Sequence, residues 1–169
     1  SLEVGIAGPL DTAFRWTGDN LDWFFKPISN VISAFLSGVE NFLLWLPWPA
    51  GVAVVVLAAL RVSGRSMGLF CGISLLFIAM LGLWDSAMIT ISIMSVSVLI
   101  SVSIALPLGI AAAINDRFES SMRPVLDTLQ VMPAFVYLIP AIFFLGLGKV
   151  PAVMATMIYA VPPAMRLTN

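Results

Sequence analysis

Residues 86–115 read SAMITISIMSVSVLISVSIALPLGIAAAIN, thirty consecutive positions without a charged side chain, bounded by Asp85 and Asp116. The run is apolar throughout, without the period-two alternation of a barrel strand. A helix needs about 20 mostly apolar residues to cross roughly 30 Å of hydrocarbon. In lipid each backbone N–H must find an internal partner, which a helix supplies from its own backbone. This stretch therefore predicts a membrane-spanning helix.

The same criterion applied outward finds uncharged runs at 41–60, 66–84, 128–148 and 150–165. The last is short, but Lys149 can snorkel on one side and Arg166 can reach the headgroups on the other. The whole chain agrees: 60% of residues are hydrophobic, 10% are charged and the mean hydropathy is +1.05, beyond what a soluble domain can bury. The expected fold is all-α, a polytopic transmembrane helical bundle of about five spans.

Arg61 and Arg65 follow the first span, Arg117 and Arg123 the third, and Arg166 the fifth, whereas the opposite loops hold Asp85 and Lys149. The positive-inside rule places the N-terminus outside and the C-terminus in the cytoplasm. Trp45, Trp48 and Trp84 then fall at outer ends of spans, where indole rings favour the interface. Arg15 and Lys26 stand against this rule, in a short N-terminal stretch that also holds four acids. Residues 22–44 place Phe24, Phe25, Ile28, Val31, Ile32, Phe35 and Leu36 at three- and four-residue spacing, with Lys26, Ser29, Ser33 and Glu40 opposite. With Pro27 in its first turn, this reads as an amphipathic helix lying on the outer membrane surface. A helix packed against the bundle through the same stripe is the alternative.

Several chemistries are excluded. The chain has no histidine and one cysteine, Cys71, inside an apolar run, so Ser-His-Asp and Cys-His nucleophiles, Cys/His zinc sites and intrachain disulfides are absent. No phosphate loop for ATP hydrolysis occurs. An aspartyl intramembrane protease needs two membrane aspartates, but the chain offers Gly146-Leu-Gly-Lys149 and an Asp127 at a predicted membrane edge. A net charge of −1 provides no basic field for nucleic acid. No catalytic residue, metal site or cofactor is expected.

Two spans carry candidate functional residues. In the third, Ser95, Ser97 and Ser101 belong to a serine-rich series that lets helices approach closely and hydrogen-bond; a polar wall of a translocation path is the alternative. In the fourth, Pro133 and Pro140 each remove a backbone donor and free a carbonyl, as in the interrupted spans of transporters. Gln130 and Tyr137, seven residues apart, are expected on roughly the same face, either structural or lining a path with Phe135. Pro162 and Pro163 are expected to distort or stop the last helix.

The run "DTLQVMPAFVYLIPAIFFLGLGKVPAVMATMIYAVPPAMRLTN" from Asp127, preceded by "LPLGIAAAINDRFESSMRPVLD" from Leu106, resembles the glycine betaine/proline betaine ABC-importer permeases. The likeness is close over 106–169 and weaker before it. It implies a non-catalytic membrane subunit that pairs with a second permease copy, docks on a cytoplasmic ABC ATPase and receives its osmoprotectant from a periplasmic substrate-binding protein. It further implies an N-terminal interfacial segment at 1–45, two spans in 46–85, and the start of a type I transmembrane core at 86–169. The EAA coupling motif of that family would follow Asn169. The chain opens at Ser1 without a signal-peptide pattern and stops just past an apolar run, which reads as a fragment. A permeant quaternary ammonium would be met by aromatic faces and carbonyls: Gln130, Pro133, Phe135, Tyr137 and Pro140. The competing readings are a self-sufficient channel or anchor, and a permease for another small substrate such as choline or an amino acid.

Overall fold

The computed structural model describes residues 7–168, with side chains from Trp23 onward. The elements among these residues are seven helices: α1 Ala7–Trp45, α2 Trp48–Val62, α3 Arg65–Met80, α4 Trp84–Ala113, α5 Asp116–Val131, α6 Ala134–Leu145 and α7 Lys149–Thr168. Residues up to Ala34 and from Val96 onward form one compact unit, and Phe35–Ser95 form another. Residues 1–6 of the expected N-terminal segment, and Asn169, lie outside the described residues.

Two expected spans are present almost residue for residue, as α4 and α7, both long and apolar enough to cross a membrane. Trp23–Trp45 of α1 also meets that criterion, so the segment read as a surface helix has the length of a span. It buries Ile32 and Leu36 and exposes Phe24, Val31, Phe35 and Phe42, which divides the apolar stripe between a packed edge and an outer one. Pro27 lies in the interior of α1 rather than in its first turn.

In the Phe35–Ser95 unit, α2 and α3 form a hairpin. Pro47 caps α2, and Gly64, at φ 87, makes a turn that a side chain would strain. Gly68 and Gly72 let the helices close: an added Cβ would lie 2.4 Å from Leu60 at the first and 3.3 Å from Val56 at the second. This small-xxx-small spacing is a known device for close packing in membranes. The helices have 15 and 16 residues, about 22 and 24 Å long, shorter than the uncharged runs that marked them and shorter than a bilayer core. Among the described residues three helices meet the length criterion, or four if α5 and α6 count as one broken span.

In the other unit α4 and α7 meet along a seam of small residues spaced by four: Ser97, Ser101, Ala105 and Gly109. Ser97 Oγ donates to the Val153 carbonyl at 3.4 Å. Ser101 Oγ donates to Ser97 O at 2.6 Å and also lies 3.4 Å from Met157 O. Ala105 is fully buried in a cluster with Ala112, Leu126 and Met165. A Cβ on Gly109 would lie 2.6 Å from Thr168 Cβ and 2.9 Å from the Met165 carbonyl oxygen. Both serines are buried, while Ser95 is half-buried on the same helix. The helix does not stop at Pro162 and Pro163; α7 runs on to Thr168. Proline's fixed φ suits a helix, and Pro162 is fully buried, so packing offsets the lost ladder bonds.

Candidate functional site: the broken helix α5–α6

The stretch read as a cytoplasmic connection is itself a helix. Asn115 caps α5, its side chain accepting from the backbone N–H of Arg117 at 3.1 Å and of Phe118 at 3.2 Å. Asp116 and Glu119 in the first turn favour the positive end of the helix dipole. Charges at 116, 119, 123 and 127 share one face, while Leu126 is buried with Phe118 and Met122 packed beside it.

At Met132–Pro133 the chain bends by 92° into α6. Pro133 has no N–H, so the carbonyl of Leu129, its partner four residues back, loses its ladder bond. The Tyr137 hydroxyl supplies the replacement, donating to Leu129 O at 2.7 Å. Around this joint Met132 N–H still reaches Thr128 O and Val136 N–H reaches Pro133 O. Tyr137 is therefore tied to the backbone of α5.

The bend separates residues that a straight span would align. Tyr137 and Pro140 share a cavity of about 210 Å³ with Phe144 of α6, Phe25 of α1, and Met154 and Ile158 of α7. Phe25 stacks on Phe144 with ring centroids 4.8 Å apart. Phe135, 74% exposed, faces a different recess of about 260 Å³ with Tyr159. Gln130, half-buried in the last turn of α5, and Pro133 at the joint line neither. Sequence reasoning placed Phe25 in the apolar stripe of residues 22–44 rather than beside Tyr137, and did not name Phe144 or Tyr159. Phe144 falls on the helical face of 137, 140 and 141, so the spacing would have found it.

A third cavity, about 360 Å³, lies where the C-terminal ends of α4 and α7 meet α5. Its apolar floor includes Ala112, Leu126 and Met165, and its rim holds two ion pairs. Arg123 bonds Glu119 at 2.7 Å, and Arg166 pairs with Asp127, linking the last turn of α7 to α5. Arg166, expected to reach for headgroups, thus holds a protein carboxylate.

Residues 105–169, which contain the end of α4 and the whole of α5, α6 and α7, match the family model described as "Binding-protein-dependent transport system inner membrane component". Over 167 residues the chain is 38% identical to the glycine betaine/proline betaine transport system permease protein ProW of Escherichia coli (strain K12), covering 95% of this chain and 46% of that protein. It is 37% identical over 167 residues to the glycine betaine transport system permease protein OpuAB of Bacillus subtilis (strain 168), covering 98% and 58%. It is 39% identical over 154 residues to the glycine betaine/carnitine transport permease protein GbuB of Listeria monocytogenes serotype 1/2a (strain 10403S), covering 86% and 54%. The chain spans about half the length of the curated relatives it matches.

Proposed function

We propose that the chain, whose residues 105–169 match the binding-protein-dependent transport system inner membrane component family, forms the membrane-crossing part of an ATP-driven importer for small methylated-nitrogen osmolytes. The observation that carries this reading is the similarity along nearly the whole chain to permeases named for glycine betaine, proline betaine and carnitine. These solutes share a permanently cationic nitrogen with methyl groups and a carboxylate. More distant relatives are named for trimethylamine N-oxide and choline, which keep the methylated nitrogen and differ at the other end.

The chain itself carries no catalytic machinery in this reading. ATP is hydrolysed by a cytoplasmic ABC ATPase, substrate arrives on a periplasmic binding protein, and a second permease copy completes the conduit. The N-terminus is outside and the C-terminus in the cytoplasm. The broken α5–α6 unit is the moving element. Its 92° joint is held by one side-chain hydrogen bond, so rocking of the paired permeases can change the angle without unwinding either helix. A path past Tyr137, Pro140 and Phe144 offers aromatic faces and no basic side chain, as a quaternary ammonium requires.

The test is co-purification and uptake. An affinity-tagged chain, expressed with its neighbouring genes, is expected to bring down an ABC ATPase, and proteoliposomes of that complex are expected to accumulate radiolabelled glycine betaine only with ATP on the ATPase side. Conductance or ATP-independent uptake by the chain alone would refute the importer reading in favour of a channel.

A further inference from the structure

We propose that the α2–α3 hairpin binds one anionic glycerophospholipid, with an acyl chain in the groove between the helices and the phosphate on Arg65. The groove encloses about 420 Å³, and among the described residues Arg65 is its only charged lining residue. The α3 side is a single helix face that begins at Arg65 and ends at Leu76; α2 contributes Val56 and Leu60. From Arg65 to Leu76 the helix rises about 16 Å. One leaflet is about 15 Å deep, half of the roughly 30 Å core, so the groove has the length of one acyl chain. Its walls at Leu69 and Ile73 are more than half exposed, and Gly68 and Gly72 supply no side chains to fill it.

Charge selects the headgroup. Arg61 and Arg65 flank the turn and are both exposed, and no acidic residue lies between Glu40 and Asp85. Among the described residues the mouth of the groove is therefore a site of uncompensated positive charge, complementary to an anionic headgroup. A second copy fits less well: copies inserted the same way round the membrane meet about an axis along its normal, which brings Arg65 towards Arg65. A single cation above a long apolar trough matches a molecule with one anionic head and a long tail.

Native mass spectrometry of the purified chain, released from detergent after equilibration with phosphatidylglycerol or with phosphatidylcholine of the same acyl chains, tests this. Wild type is expected to retain phosphatidylglycerol preferentially. Arg65→Gln is expected to lower that preference about fivefold, the value of about 1 kcal/mol for one basic residue at an anionic surface. Arg65→Lys is expected to keep it, as is Arg117→Gln on α5. Ile73→Trp, which fills the groove, is expected to reduce adducts of both lipids. The proposal is overturned if Arg65→Gln keeps the preference, if Arg117→Gln loses as much, or if Ile73→Trp binds lipid like wild type. It is equally overturned if the spectra show a protein dimer in place of lipid adducts and Ile73→Trp abolishes that dimer.

Discussion

Replacing Tyr137 with phenylalanine removes one oxygen atom, and the local geometry sets what that costs. The hydroxyl is the donor to Leu129 O at 2.7 Å, and the backbone donor that would otherwise serve this carbonyl is missing at Pro133. A hydrogen bond within a membrane protein is worth about 0.6 kcal/mol on average. Leaving a buried acceptor without any partner costs more, about 1–3 kcal/mol. Leu129 and Tyr137 are half-buried rather than sealed, which places the expected loss at the lower end, about 1 kcal/mol. Equilibrium unfolding in mixed micelles would read this directly, and hydrogen exchange of the amides around the joint would rise about fivefold for the same free energy.

The decisive comparison is a double-mutant cycle with Pro133→Ala, which returns a peptide N–H at position 133 that can reach the Leu129 carbonyl once Met132, extended at ψ 133, turns helical. In that background Tyr137→Phe is expected to cost less than in wild type, with a coupling of at least about 0.5 kcal/mol. Equal costs in both backgrounds would refute the claim that tyrosine replaces the donor proline lacks.

At Gly109, substitution by leucine drives a side chain into Thr168 and the Met165 backbone and is expected to destabilise by about 1–3 kcal/mol, seen as a lower detergent unfolding midpoint. Gly38→Ala, where an added Cβ meets nothing within 4 Å, is expected to be neutral or to stabilise by about 0.5–1 kcal/mol in the same assay. Breaking the exposed Asp127–Arg166 pair with Asp127→Asn is expected to cost no more than about 1 kcal/mol in that unfolding assay, an effect that weakens at high salt. In a Cys71→Ala background, a cysteine at Ser63 is expected to react with a membrane-impermeant maleimide in inverted vesicles and not in intact cells; the reverse pattern would overturn the orientation.

Much of the architecture was legible because charge is so scarce. The uncharged runs found α4 and α7 nearly to the residue, and the three-and-four spacing of Ile32 and Leu36 marked a buried edge of α1. The same logic hid α5. Asp116, Arg117, Glu119, Arg123 and Asp127 served as boundaries between spans, whereas Asp116, Glu119, Arg123 and Asp127 recur every three or four residues and form the wet face of an amphipathic helix. Uncharged runs also overstate helix length, since Pro47 starts α2 late and Gly82 lies beyond the end of α3. At Pro133 the sequence located a lost ladder bond, but its spacing carries no information on a bend of 92°, so Gln130, Phe135 and Tyr137 were assigned to one wall that the structure divides. Pro27, read as marking a first turn, and Pro162, read as a stop, both lie inside helices: a proline whose helix is held by its neighbours need not mark an end.

The α2–α3 hairpin reaches about 22–24 Å where the hydrocarbon is roughly 30 Å thick. If its two ends are to meet water, the surrounding lipids must compress, at fractions of a kcal/mol for each Å of mismatch. Were both helices to cross, a dimple in the bilayer would be part of this protein's footprint, and thinner membranes would accept it more readily than thick, sterol-stiffened ones.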